Sequence, residues 1–286
     1  MRETGLSAGG HSTEAASFLA CLATVLETSP DELPDPSPDE DAATGWTVSR
    51  WLGGLGLGLV QVADPATFAW AGPWIARILE PTTRDTRFVV MYGVPSGVVW
   101  DPAGASAVVE RSFVEQGFLL AAADIALALP TRSRAPVASG VLEAIFTAPS
   151  ASAPSERRGR ARALAGRGLE GDRHVTGLGT FPSGLPGSAL TAIESEVCES
   201  FMPPLEADEH RRNLVTRGID LNALVGREFT IGGVRCRGMR LCEPCTVADG
   251  YAGRPILRAL VHRGGLRADI LEDGAIAVGD EIRVTS

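Results

Sequence analysis

The chain has 286 residues, 44% hydrophobic and 21% charged, with a formal net charge of −9, enough to bury the core of one or two globular domains. All 26 basic residues are arginine, so no side-chain amine can form a Schiff base, which excludes pyridoxal phosphate held as an internal aldimine. Residues 1–149 carry 8 Arg against 17 Asp and Glu, and residues 150–286 carry 18 of each; the break points to two units, and neither has the positive balance of a general nucleic-acid binder.

Residues 1–13 read as a frayed start, and Met1 to Ser17 lack the apolar core of a signal peptide. With five cysteines in all, an odd number, the pattern fits reduced thiols in a cytoplasmic protein rather than a disulfide framework. Ala15 to Glu27 is expected as a helix, because Phe18, Leu19, Leu22, Val25 and Leu26 recur at helical spacing. An acidic, proline-broken loop from Leu33 to Asp41 follows, then a second short helix over Thr47 to Gly53 and a strand over Leu57 to Val62. The glycines at 53, 54, 56 and 58 miss the dinucleotide fingerprint, since Leu59 stands where its last glycine belongs. Strands are expected at Trp74 to Leu79, Arg87 to Tyr92 and Gly97 to Trp100. The apolar stretch Phe118 to Leu129 is too short to span a bilayer and contains Asp124, so no membrane partner is expected. Arg132 to Ser139 could link the two units. Beyond it the spacing predicts strands at Val141 to Thr147, Ala189 to Ile193, Glu228 to Ile231, Val234 to Arg237 and Ile282 to Val284. Gly232-Gly233 is a hairpin signal, and helices are expected at Glu194 to Phe201 and Pro255 to Val261. Short strands at regular intervals with few helices suggest a barrel.

Three of the cysteines, Cys236, Cys242 and Cys245, lie within ten residues, behind the segment Arg211-Arg212-Asn213. Cys242-Glu243-Pro244-Cys245 has four readings: a redox dithiol, a zinc half-site completed by Cys236 and His262, two structural cysteines, or one reactive thiolate. The dithiol normally opens a helix after a strand in a βαβ setting, and the zinc spacing fits no common module. The fourth reading is favoured by Gly168-Leu169-Glu170-Gly171-Asp172-Arg173-His174, a glycine-rich turn ending in three hydrogen-bonding side chains. Arginine suits bidentate binding of phosphate or carboxylate, and nearby cations favour a thiolate.

These motifs, with Ala148-Pro149, Arg211 to Arg227, Gly253-Arg254-Pro255 and His262 to Arg267, resemble the MOSC domain, the C-terminal domain of molybdenum-cofactor sulfurases. The resemblance covers about residues 139–286. It implies a β-barrel in which Cys245 is the key cysteine, either a thiolate ligand to molybdenum or a carrier of sulfur. It further implies that Arg212, Asn213, Asp172, Arg173 and His174 orient an anionic molybdenum cofactor. Neither the β-rich domain that precedes the barrel in amidoxime reducers nor the desulfurase half of the sulfurases is present. Sulfur would have to come from a donor protein, and electrons from a redox partner. The competing class is a non-catalytic interaction protein with a structural or zinc-binding barrel.

In the first half, Ser17 to Ala23, Trp51 to Val62, Arg87 to Met91 and Trp100-Asp101-Pro102 distantly resemble small bacterial papain-like domains. Ser17 takes the place of the catalytic cysteine there, Phe88 that of the histidine, and Asp101 that of the acid. Without a base the serine is inert, and Cys21, on the apolar stripe, reads as core. The expected fold class is therefore α+β: a degenerate papain-like α+β domain over 1–136, followed by a mostly β barrel of MOSC type over 137–286.

Overall fold

The computed structural model describes residues 13–35, 46–79, 84–92, 100–102, 111–124, 139–181 and 185–285. It divides into two compact units, Met1–Ala122 and Ala123–Ser286. The boundary expected at 136/137, the linker up to residue 138 and most of the Gly97 to Trp100 strand lie outside the described residues. Trp100 itself bridges to Val90, and Ser139 already opens a strand.

The first unit lays helix α1 (Thr13–Leu26) against a four-stranded antiparallel sheet. The strands are β1 (Leu57–Gln61), β2 (Pro73–Leu79), β3 (Thr86–Tyr92) and β4 (Val114–Ala122), in the order β1-β4-β2-β3. The α1 stripe buries Phe18 and Leu22, and with them Cys21, against Ile75, Phe88, Val90 and Phe118. The opposite face of the sheet packs Trp74, Ala76, Ile78, Val89 and Met91 together. Helix α2 (Trp46–Gly54) adds Val48 and Leu52 to the first cluster. Strand β4 was not anticipated. Its residues from Phe118 onward read only as an apolar run, because a strand buried on both faces shows no alternation.

In the second unit seven strands close into a barrel: β5 (Ser139–Thr147), β9 (Leu190–Glu194), β10 (Leu214–Arg217), β11 (Glu228–Ile231), β12 (Val234–Leu241), β13 (Leu266–Ile270) and β15 (Glu281–Val284). The circuit runs β5-β10-β9-β13-β12-β11-β15 and back to β5, with β9–β10 its one parallel pair. The Gly232-Gly233 turn joins β11 to β12 as expected. Strand β6 (Glu156–Arg158) pairs with the end of β5. A small sheet of β7 (Arg160–Leu164), β8 (Gly168–Leu169) and β14 (Gly274–Ala277) adds Ala163, Leu169 and Ile276 to the barrel core.

Side chains alternate across each barrel strand. Leu190, Ala192, Leu214, Leu266, Ala268, Phe229 and Ile282 point inward and fill the core, leaving a void of about 10 Å³. That is room for about one water molecule, so ligand chemistry is confined to the outer wall. There Ile193 and Val215 meet the short helices α4 (Ser195–Glu199), α6 (Ala248–Ala252) and α7 (Leu257–Leu260) through Val197, Phe201, Ile256 and Leu260. The helices expected at Glu194 to Phe201 and Pro255 to Val261 are thus real but shorter. Strands β10 and β13 were hidden by their outward arginines, Arg217 and Arg267.

One backbone crossing fixes where the cysteine loop lies. Gly265 has φ of +96°, and a Cβ there would stand 1.9 Å from the Ala192 carbonyl oxygen; a Cβ on Gly264 would stand 2.2 Å from that of Cys242. Only glycine fits both sites. Gly265→Ala is expected to destabilise the fold by about 3 kcal/mol or more, combining left-handed strain with a backbone clash. A urea titration reads this as a lowered midpoint.

Candidate functional site

Strand β12 ends at Leu241, and the chain turns across the outer wall as Cys242-Glu243-Pro244-Cys245 before entering α6. Cys242 donates its N–H to Gly265 O at 2.7 Å, and its own carbonyl accepts from Arg212 Nη2 at 2.9 Å. Glu243 Oε2 accepts the His262 N–H at 2.8 Å, and Oε1 lies 2.8 Å from His262 Nδ1. Cys245 O accepts from Ala248 N at 2.9 Å and so opens α6. The loop is held at both ends. Cys21, Cys198, Cys236 and Cys242 are buried, and Cys245 is half-buried. Cys236 lies in the barrel core, which separates it from any shared site with Cys245. Among the described residues no three His, Cys, Asp or Glu side chains are grouped to hold a metal ion. The four-ligand zinc arrangement is therefore not formed. Cys242 has no exposed surface, so a solvent-borne reagent reaches the pair only through Cys245.

The candidate ligands divide by what they already hold. Arg212 gives Nε to Gly264 O, Nη1 to His210 O and Nη2 to Cys242 O, each at 2.9 Å. Asn213 is buried where β10 begins: its Oδ1 accepts from Thr191 N at 3.2 Å and Thr191 Oγ1 at 2.9 Å, while Nδ2 donates to Phe146 O at 3.3 Å. It ties β5 to β9 with its side chain. Asp172 is fully buried and caps α3 (Arg173–Thr176): Oδ1 accepts the His174 N–H at 3.1 Å and Oδ2 that of Ala148 at 3.0 Å. Arg173 Nη2 donates to Arg211 O at 2.7 Å, and Nη1 lies 3.4 Å from Asp172 Oδ2. His174 differs from all of these. Its Nε2 is buried with no hydrogen-bond partner, at 3.9 Å from Asp172 Oδ1.

Electrostatics define the site further. Burial, reinforced by the cations of Arg173, Arg267 and Arg212, pushes the His174 imidazole down to about 3, so it is neutral at physiological pH. His210, whose Nδ1 accepts the Arg212 N–H at 3.0 Å, is likewise pushed down to about 3 by burial and then by Arg212 and Arg211. The Cys245 thiol goes the other way. Burial raises its pKa above the ordinary value; the Val247 backbone hydrogen bond and the charges of Arg212 and Arg267 oppose this without overcoming it. The expectation that cations would yield a ready thiolate is thus corrected: their sign is right, but desolvation is larger. Arg267, on the outward face of β13 opposite Thr191, was overlooked as a ligand. Its signal was available, since it closes the run His262 to Arg267.

A closed seven-stranded barrel with one accessible cysteine on its outer wall, set among arginines, is the class of protein that these features define. Residues 184–283 match the MOSC domain family, a span that holds Arg212, Asn213, Cys245 and Arg267 and leaves Asp172, Arg173 and His174 upstream. No curated protein matches the sequence. Among solved structures, the YuaD protein from Bacillus subtilis is 20% identical over 51% of this chain and 95% of its own, with a TM-score of 0.41. YiiM from Escherichia coli is 16% identical over 51% and 70%, with a TM-score of 0.38.

Two outcomes follow from this geometry. Asn213→Ala leaves Thr191 and Phe146 groups buried without partners, at about 1–3 kcal/mol each; the urea midpoint falls accordingly. The depressed histidines favour the folded state fully above about pH 6.5, and that stability is withdrawn as pH falls toward 3. Between pH 7 and 5 the wild type should lose about 2 kcal/mol more than His174→Gln, measured by urea unfolding at both pH values.

Proposed function

We propose that residues 137–286 act as a MOSC domain in which the Cys245 sulfur ligates the molybdenum of a pterin cofactor or carries sulfur as a persulfide. The protein would be cytoplasmic. One observation carries this reading: of the five cysteines, only Cys245 is not buried, and it lies in the field of Arg212 and Arg267.

The residues present suit an anionic group beside a sulfur. Arg212 and Arg267 supply positive charge, and the buried, unpartnered His174 Nε2 supplies a hydrogen-bonding atom. When bound, the cofactor would supply a molybdenum centre for oxidation–reduction. The chain's own part is to orient the sulfur and exclude water. Arg212 fixes the cysteine loop through the Cys242 carbonyl, and the Gly264-Gly265 crossing sets its depth. The raised thiol pKa means that Cys245 keeps its proton until a metal or an incoming sulfur competes for the sulfur.

In the sulfur-carrier form, the Cys245 thiolate attacks the outer sulfur of a donor protein's persulfide. The donor's S–S bond breaks, its thiolate leaves, and Cys245 becomes the persulfide. No electron is gained or lost overall, and residues 1–286 contain no lysine with which to generate the donor persulfide by pyridoxal-phosphate desulfurase chemistry.

The first unit is assigned binding rather than catalysis. Ser17 Oγ donates to Glu14 O at 2.8 Å and accepts the Phe88 N–H at 3.0 Å. Phe88 itself is buried, and Asp101 pairs with Arg87 at 2.9 Å. In the papain-like reading no imidazole stands beside the hydroxyl among the described residues, and residues 1–136 would serve as a partner-binding module.

Metal analysis and intact mass of the purified protein test the proposal, together with iodoacetamide labelling. Molybdenum, or a sulfur adduct lost in Cys245→Ala, supports it. Labelling of Cys245 should be slow at pH 7 and rise about tenfold per pH unit up to its raised pKa, because only the thiolate reacts. A metal-free, unmodified Cys245 that resists iodoacetamide even above pH 9 would sink it.

A further inference from the structure

The first unit holds a surface cavity of about 420 Å³, lined by Thr24, Val25, Glu27, Pro73 and Tyr92. It lies where the last turn of α1 meets the start of β2 and the end of β3. Pro73 stands opposite Tyr92 in the β2–β3 ladder. Alternation puts Tyr92 on the same face as Phe88 and Val90, which pack beneath α1. The volume falls in the range of small-molecule sites, roughly 300–1,000 Å³.

The lining has one electrical sign. Helix α1 ends at Leu26 with no basic residue in its last turn. Glu27 N–H bonds Thr24 O at 3.3 Å and Thr28 N–H bonds Ala23 O at 3.0 Å. The Val25 and Leu26 carbonyls take no hydrogen bond from any described residue, so the partial negative charge of the helix end faces the cavity unanswered. Glu27 adds a full charge. It is exposed, and its carboxylate has neither an ion pair nor a hydrogen bond among the described residues. It takes φ of +56°, the left-handed position after a helix where glycine is usual. Side chains held at such strained positions cluster at ligand clamps. The Tyr92 ring, 51% exposed, adds a π face that attracts positive charge. The Thr24 hydroxyl is already given to Ala20 O at 2.8 Å.

We infer that this cavity binds an organic cation, an alkylammonium or guanidinium group. Its charge meets Glu27 and the end of α1, and its carbon atoms lie against Val25, Pro73 and the Tyr92 ring. An anion would be repelled by both the carboxylate and the helix end. A divalent metal needs several oxygen ligands, and the cavity offers one carboxylate. The chain has no lysine, so a side-chain ammonium comes from another molecule. Its source is a free amine or a basic side chain of a partner protein. The cation site is independent of the Cys245 sulfur, and it gives the binding role assigned to the first unit a chemistry.

The two tyrosines of the chain provide the test. Tyr251 already carries the Arg211 guanidinium 5.3 Å from its ring centroid, so in the full-length protein labelled with carbon-13 tyrosine it is an internal control for Tyr92. Titration with n-butylammonium at constant ionic strength should shift the Tyr92 ring signals saturably in the millimolar range and leave those of Tyr251 in place. Neutral n-butanol and magnesium ion should each bind at least several-fold more weakly. Glu27→Gln should weaken n-butylammonium binding several-fold. Glu27→Gly should weaken it as much while raising the melting temperature, because glycine relieves the left-handed strain. A merely structural Glu27 would not move the two readouts in opposite directions. Tyr92→Leu, followed by saturation transfer to the butyl protons, should lose most of the binding. The peptide Gly-Lys-Gly separates the sources: binding tighter than n-butylammonium assigns a partner protein, and equal or weaker binding assigns a free amine. No saturable shift of Tyr92, equal shifts from n-butanol, or binding indifferent to both Glu27 variants overturns the cation site, whatever metal analysis finds at Cys245.

Discussion

The arrangement of the outer wall depends on one guanidinium. Arg212 reaches three carbonyls that belong to three separate stretches of chain: His210 at the end of the short helix Ala207–His210, Cys242 after β12, and Gly264 before β13. The Cys242 N–H to Gly265 O bond continues the β12–β13 ladder and ties two of these stretches, and Arg212 joins the third to both. Hydrogen bonds from a charged donor contribute roughly 1.5–3 kcal/mol each, and three directed from one planar group also set angles. A lysine has the charge but not the geometry. The cysteine loop is therefore positioned by a residue that also lends it positive potential, and the two roles cannot be varied separately.

The glycine pair works from the opposite side. Arg212 pulls the Cys242 carbonyl toward the wall, and Gly264-Gly265 allow the backbone to come that close. The inward face of the same strands has no part in chemistry: alternation sends Leu266, Ala268 and Ile270 into a filled core and leaves Arg267 outside. A barrel with no room inside can use only its exterior, and it is on that exterior that the cysteine loop after β12 and Arg267 of β13 lie.

Much of this was legible in the residues, for physical reasons. Helix α1 and the hairpin at Gly232-Gly233 declare themselves by spacing and by turn chemistry, and β5 and β11 by apolar and β-branched runs. Cys245 stood out because a sulfur behind an arginine-rich segment has few bland explanations. What the residues concealed were strands whose outward positions are charged. Leu214–Arg217 and Leu266–Ile270 read as motifs rather than as β10 and β13, because an arginine on an outer wall looks the same as one in a loop. For the same reason the division of labour among the polar residues was invisible. Arg212, Asn213, Asp172, Arg173 and His174 look alike as hydrogen-bonding groups, and only packing reveals that four are already committed and that His174 Nε2 is not.

The balance of desolvation against charge gives the site its character. In open water, two arginines beside a thiol would yield a thiolate, and a histidine would titrate near pH 6.5. Here the thiol is held up and the imidazole held down by the same burial. Both groups are consequently neutral at pH 7 while the arginines around them stay charged. A neutral thiol among cations is a poor nucleophile, which protects it from casual oxidation or alkylation. Activation then cannot come from a standing internal base, as it does in a cysteine–histidine pair. In the proposed function it would come from what binds: a metal that displaces the thiol proton, or a donor whose sulfur is brought up to Cys245 within the same positive field. The Val247 backbone hydrogen bond and the charges of Arg212 and Arg267 are what favour the thiolate against burial, so the reactivity of Cys245 and the positive potential of this wall arise from one charge distribution.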